Sequence, residues 1–286
     1  MEIKTGRWRL GERQWTSAGE VAYEVLGEGP PVILVHGTPM RSHLWRNVVP
    51  ALVESHSVYV YDLLGYGESE KREGQDVSIP AQSRVLGELV EAWRLEEPAI
   101  AGHDIGGSIV LRAHLLEEVP FGGIAVLDAV VRAPWLSRPM STTWHVREYP
   151  EAYRAMPDHL FEAFLSAYLG ETNSRLGEEA FEAYLAPWRG EEGRRAFVRQ
   201  ALQAEEQHTG ELVPLLGSIE VPVRIVWGEE DGWLDPSQAP RLREEIPNSE
   251  LWTIPGAGHF VMEDAPEEVA RILTGFFSEN GEGTTP

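Results

Sequence analysis

Cysteine is absent from all 286 residues, so the chain has no disulfide and no thiolate ligand for a metal, which fits a reducing compartment. Long apolar runs are missing as well. None approaches the roughly 20 residues that cross a bilayer, and the opening Met1-Glu2-Ile3-Lys4-Thr5 is too polar for a secretory signal. A cytoplasmic protein with no membrane partner is expected. Positive charge is scarce: 24 Lys and Arg stand against 46 Asp and Glu, for a formal net charge of -22. Nucleic acids and anionic membranes are themselves polyanions, so both are disfavoured, and an anionic substrate would be repelled at long range. The acidic pairs Glu191-Glu192 and Glu205-Glu206 read as solvated helix faces rather than metal sites. What the chain does have is 42% hydrophobic residues, enough to bury a large core as one domain carrying an insertion.

Continuous apolar runs recur along the chain as they do in strands buried on both faces: Val32-Ile33-Leu34-Val35, Ser57 to Tyr61, Pro98 to Ala101, Gly123 to Leu127 and Val223 to Trp227. Two strand-like segments precede them, Trp8-Arg9-Leu10 and Val21 to Val25, with a turn at Gly27-Glu28-Gly29-Pro30, and Leu251 to Ile254 closes the set. Helical patterns over Leu44 to Val53, Ala81 to Trp93, Ile105 to Leu116, Pro236 to Glu245 and Pro266 to Phe277 separate most of them. This alternation predicts an α/β fold, a mostly parallel eight-stranded sheet with helices on both faces. The rhythm fails between 132 and 216, a helix-rich stretch dense in aromatics that reads as a cap inserted after strand six. The core domain then comprises 1–131 and 217–280, and 281–286 reads as a disordered tail.

Chemistry concentrates where strands end. In Gly102-His103-Asp104-Ile105-Gly106-Gly107 a strand turns sharply through glycines into a helix, which lifts Asp104 clear of the backbone beside helix N-terminal amides. A carboxylate there attacks an electrophilic carbon, and water later attacks the enzyme's own ester carbonyl. The substrate class is therefore an alkylating agent such as an epoxide or organohalide. Alone, Asp104 could be a turn residue; three further strand-end loops favour a catalytic role. His36-Gly37-Thr38-Pro39 can aim the Thr38 amide at an oxyanion, with the Ile105 amide as the matching donor. Gly228-Glu229-Glu230-Asp231 supplies an acid, and Pro255-Gly256-Ala257-Gly258-His259 supplies a base. Asp128, which ends another strand, is the alternative acid, and chain order favours Asp231. His36 and His103 read as structural.

Those motifs, with Gly65-Tyr66-Gly67-Glu68-Ser69, resemble the α/β-hydrolases of the epoxide hydrolase and haloalkane dehalogenase group over nearly the whole chain. The resemblance implies Asp104 as nucleophile, His259 as general base and Asp231 or Asp128 as triad acid, with no cofactor and no metal. Haloalkane dehalogenases resemble one another in a tryptophan after the nucleophile plus an asparagine or second tryptophan, where this chain has Ile105 and Thr38. Fluoroacetate dehalogenases carry arginines where this chain has Ile105 and Ser108. Epoxide hydrolases use two cap tyrosines, or a histidine and a tyrosine, to protonate the leaving oxygen. Tyr149 and Tyr153, with His145 close by, suit the first position; Phe197-Val198-Arg199-Gln200 lacks the second, leaving Tyr184.

The resulting expectation is an epoxide hydrolase that opens a small, neutral, hydrophobic epoxide to a vicinal diol, acting as a monomer or homodimer. The alternatives are a dehalogenase and, in another class, a non-catalytic binder of small ligands on the same fold, which the intact Asp104, Asp231 and His259 set argues against.

Overall fold

The structure, a computed structural model, describes residues 8–135 and 142–281. Eight strands form one sheet: β1 (Glu12–Thr16), β2 (Gly19–Leu26), β3 (Pro31–Val35), β4 (Ser57–Tyr61), β5 (Ala99–His103), β6 (Gly123–Leu127), β7 (Val223–Gly228) and β8 (Ser249–Ile254). Their order is β1-β2-β4-β3-β5-β6-β7-β8. β1 and β2 run antiparallel to their neighbours, and every other pairing is parallel. The β3 run Val32 to Val35, all of β6 and all of β7 are buried. Each such Val, Leu or Ile contributes about 1.5–3 kcal/mol by leaving water, so a polar substitution in any of them would break the sheet at its centre.

Helices follow in chain order: α1 (Val49–Leu52), α2 (Ile79–Ala92), α3 (Ile105–Leu115), α4 (Thr142–Glu148), α5 (Pro150–Arg154), α6 (Asp158–Gly170), α7 (Glu178–Leu185), α8 (Gly190–Gln203), α9 (Gln207–Gly210), α10 (Gln238–Glu245), α11 (Val261–Asp264) and α12 (Pro266–Gly281). α2 packs on α3, and α1 packs on α12, while α3 and α12 both lie against β5 and β6. Helices α4 to α9 all fall between β6 and β7. No helix among the described residues is long and apolar enough to cross a membrane.

The expected strand over Trp8 to Leu10 is irregular chain, and β1 begins at Glu12. β1 is an edge strand whose side chains are mostly exposed, so it carries no apolar alternation to read. Trp8 and Leu10 are apolar for another reason: the Trp8 indole donates to Ser42 Oγ at 2.9 Å, and Leu10 is buried in the core. The expected helix from Leu44 to Val53 is instead a 3-10 turn at Ser42–Trp45 followed by the single turn α1. Pro50 has no N–H to give back to the preceding turn and restricts the residue before it, so it starts a turn rather than continuing one. α12 extends through Gly281, beyond the expected Phe277, and 282–286 lie outside the described residues.

β3 lies between β4 and β5, so the chain leaves it first toward one edge of the sheet and later toward the other. At such a switch point the loops after neighbouring strands diverge and leave a crevice at their carboxyl ends. The loop after β3 and the turn after β5 flank it.

Candidate active site

Asp104 occupies the sharp turn between β5 and α3 with φ 54° and ψ -124°, a backbone conformation that a non-glycine residue adopts only under strain. Glycines make the turn possible. A Cβ at Gly102 would come within 2.4 Å of the Gly106 oxygen, and one at Gly37 within 2.4 Å of Asp104 Cβ, so the loop after β3 lies directly against the nucleophile turn. The Thr38 amide donates to Asp104 Oδ2 at 2.8 Å, and the Ile105 amide lies beside the same carboxylate and favours its charge. His36 braces this loop as a neutral imidazole, donating from Nδ1 to the Gly37 oxygen at 2.9 Å and accepting the Leu63 amide on Nε2 at 2.9 Å.

Two further strand-end loops complete the geometry. After β7, Asp231 Oδ1 accepts the Trp233 and Leu234 amides at 2.8 and 2.9 Å, which fixes its carboxylate with Oδ2 free to face the loop after β8. There His259 Nδ1 lies 2.9 Å from Asp231 Oδ2, and Nε2 lies 3.8 Å from Asp104 Oδ1. The second separation is too long for a hydrogen bond, and Nε2 has no hydrogen-bond partner among the described residues. The imidazole therefore faces the carboxylate across a gap. His103 Nε2 donates to the His259 backbone oxygen at 2.9 Å and so points away from the carboxylate of Asp104.

Burial pushes the Asp104 carboxyl up to about 6, against the opposing pull of His259 and the two amides. Burial also disfavours the His259 cation, but the charges of Asp231 and Asp104 outweigh it and raise this imidazole above its ordinary value. Asp128 takes no part in that relay. Its Oδ1 accepts the Gly228 amide at 2.8 Å, and burial, then the neighbouring Asp231 carboxylate, hold its carboxyl well above the usual range. Its Oδ2 has no hydrogen-bond partner among the described residues. Of the two acids the sequence leaves open, Asp231 is the one on His259.

Asp104 is only 2% exposed, yet it lines a largely apolar cavity. The core contributes Thr38, Ile105, Val130, Trp233 and Leu234 to the walls; the inserted helices contribute Val146, Arg147, Tyr168, Phe197, Gln200, Ala201 and Ala204, with Trp135 just before them. The insertion is tied to the loop after β3, with the Trp188 indole donating to the Pro39 oxygen at 2.9 Å.

None of the four cap residues expected as proton donors lines this cavity. Tyr149 is 49% exposed where α5 begins, and His145 is exposed on α4. Tyr153 is buried with its hydroxyl 2.7 Å from His145 Nδ1 and its ring against Phe164. Tyr184 donates to Glu263 in a cluster with Arg46. Spacing from the nucleophile locates a segment but not the face of the helix that turns inward. The phenol in the wall is Tyr168, whose ring lies 4.7 Å from that of Trp233, itself 4.9 Å from the His259 ring. It falls on the buried stripe Phe161, Leu165, Tyr168, Leu169 of α6, a helical spacing that by itself signals core packing. Gln200 gives a plainer signal, a polar residue on the apolar face of α8 between Phe197 and Ala201. Among the described residues no group of three His, Asp or Glu side chains is placed to hold a metal ion.

Residues 30–266 match the family described as alpha/beta hydrolase fold. The chain is similar to haloalkane dehalogenase 2 of Mycobacterium bovis, with 30% identity over 92% of this chain and 93% of that protein. Among solved structures, an alpha/beta hydrolase fold protein from Burkholderia ambifaria superposes with a TM-score of 0.88 at 36% identity, covering 93% of this chain and 97% of the other. An epoxide hydrolase shares the fold at a TM-score of 0.73 and 22% identity, over 94% and 98%.

Proposed function

Because the chain belongs to the α/β-hydrolase fold family, we propose that it hydrolyses a small, neutral, hydrophobic epoxide to a vicinal diol through an ester on Asp104. The observation that carries the reading is the Asp104 carboxylate, held by the Thr38 amide at 2.8 Å, facing His259 at 3.8 Å and opening onto an apolar cavity.

In the first step an Asp104 oxygen attacks an epoxide carbon from the far side of the C–O bond. The ring opens, and the departing oxygen takes a proton from the Tyr168 hydroxyl, the phenol in the cavity wall. In the second step His259, oriented by Asp231, removes a proton from water as the water oxygen attacks Asp104 Cγ. The Thr38 and Ile105 amides receive the oxyanion. Collapse breaks the Cγ–O bond to the substrate, the His259 cation returns its proton to the diol, the second proton of the water passes from Asp104 to the Tyr168 phenolate, and one oxygen of Asp104 is now solvent-derived. A single turnover in oxygen-18 water is therefore expected to label the Asp104 carboxylate. Label confined to the diol would reject the ester.

A second reading, dehalogenation, is favoured by the 30% identity to a haloalkane dehalogenase and by Trp233, a tryptophan in the cavity wall beside His259. Against it, Ile105 and Thr38 occupy the positions where that group keeps its halide-binding tryptophan and asparagine. Halide release from alkyl bromides, measured beside diol formation from styrene oxide, separates the two.

A further inference from the structure

We propose that Gln200 is the second donor of the site, an oriented amide that holds the departing atom of the substrate without protonating it. This rests on the Asp104 ester reading and adds to it a specificity-determining residue: the electrophile must carry a hydrogen-bond acceptor on the bond that breaks.

Gln200 sits on the buried face of α8, 6% exposed, and lines the cavity together with Asp104. Its Oε1 receives two hydroxyl protons from the core, from Thr38 Oγ1 at 2.7 Å and from the Tyr66 phenol at 3.0 Å. Those protons decide which way the amide faces. With the oxygen toward the hydroxyls, both protons and both lone pairs of Oε1 are used. Turned over, the amide would offer two donors to two donors, and at least one buried hydroxyl proton would have no acceptor. The nitrogen end is thus the end left over, and Nε2 makes no hydrogen bond with any described residue.

The anchor is rigid. Tyr66 is 1% exposed, its ring set edge-on to His36 at 5.4 Å and to Trp188 at 5.5 Å. Thr38 uses its backbone amide on Asp104 and its hydroxyl on Gln200, so nucleophile and amide take their positions from one residue. An amide N–H keeps its proton at every accessible pH, so it stabilises a developing alkoxide or halide by hydrogen bonding alone. Proton delivery stays with Tyr168, and the two functions are divided between α6 and α8.

The experiment measures ester formation and ester hydrolysis separately, by acid quench and intact-mass spectrometry, with styrene oxide as the probe. Gln200→Met removes the amide at nearly constant length. It is expected to slow ester formation about 10- to 100-fold, the worth of one hydrogen bond to a developing anion, while the hydrolysis rate stays at the parental value; Tm falls, because the Thr38 and Tyr66 hydroxyls lose their acceptor. Gln200→Glu keeps both hydroxyl bonds, and so tests the same point should Gln200→Met fold poorly; its charge faces the departing anion, and the loss should be at least as large. A purely structural glutamine would instead slow both steps together. Ester formation within about twofold of the parental rate in both variants overturns the role while leaving the ester reading intact. A parental protein whose Asp104 is never alkylated overturns both.

Discussion

Ester formation should titrate far above the range of an ordinary aspartate. Only the ionised carboxylate attacks carbon, and burial moves Asp104 from 3.8 to about 6. That shift leaves the buried carboxylate about 3 kcal/mol less stable, relative to its acid, than it is in water, an energy regained when alkylation removes the charge. At pH 5 a group titrating at about 6 is roughly one-tenth ionised, whereas one at 3.8 is more than nine-tenths ionised. The first-step rate is therefore expected to fall about tenfold between pH 7 and pH 5. Quenched-flow measurement of the alkylated protein under single-turnover conditions reads that rate directly. The second step should behave differently. The Asp104 charge helps to raise His259, and the ester no longer carries it, so the imidazole becomes easier to deprotonate once the ester has formed. Ester decay should then titrate below the value found for His259 by NMR in the free protein. A first-step rate that is flat from pH 7 to pH 5 would refute the argument, because it would mean that the amides of Thr38 and Ile105 overcome the burial.

Two further outcomes follow from the same geometry. Tyr168→Phe should lower epoxide turnover by about 10²- to 10⁴-fold, while Tyr149→Phe and Tyr153→Phe retain it and Tyr184→Phe loses stability by about 1–3 kcal/mol with its Glu263 bond; diol assays and urea melts on the four variants check this. Asp128→Asn keeps an oxygen for the Gly228 amide and places a donor toward Asp231. A carboxyl held above its unfolded value of 3.8 contributes most stability below that pH and loses it progressively as pH rises toward the folded value. As pH rises above 3.8 the parental protein should therefore lose stability relative to the variant, by up to about 1.4 kcal/mol per pH unit; a stability difference between the two that does not change with pH above 3.8 would contradict it.

The sheet was legible where its strands are buried on both faces, because a run such as Val32 to Val35 leaves no other use for so much apolar side chain. β1 was not, since an exposed edge strand of polar residues has nothing to distinguish it from a loop. The loops that carry Thr38, Asp104, Asp231 and His259 were legible because glycines mark strand ends and chain order limits what can follow. Asp128 and Asp231 both end strands, and only the 2.9 Å contact to His259 separates them. The inserted helices were the least legible. Spacing and residue type point to Tyr149, Tyr153, Tyr184 and His145, yet what puts Tyr168 and Gln200 in the cavity wall is the rotation of α6 and α8 about their axes, which tertiary packing sets.

The bond between the Thr38 hydroxyl and Gln200 ties the reacting centre to the part of the protein that roofs it. A movement of α8 away from the core would break both hydroxyl bonds to that amide, so the contacts that orient one side chain also fasten the inserted helices over the nucleophile loop.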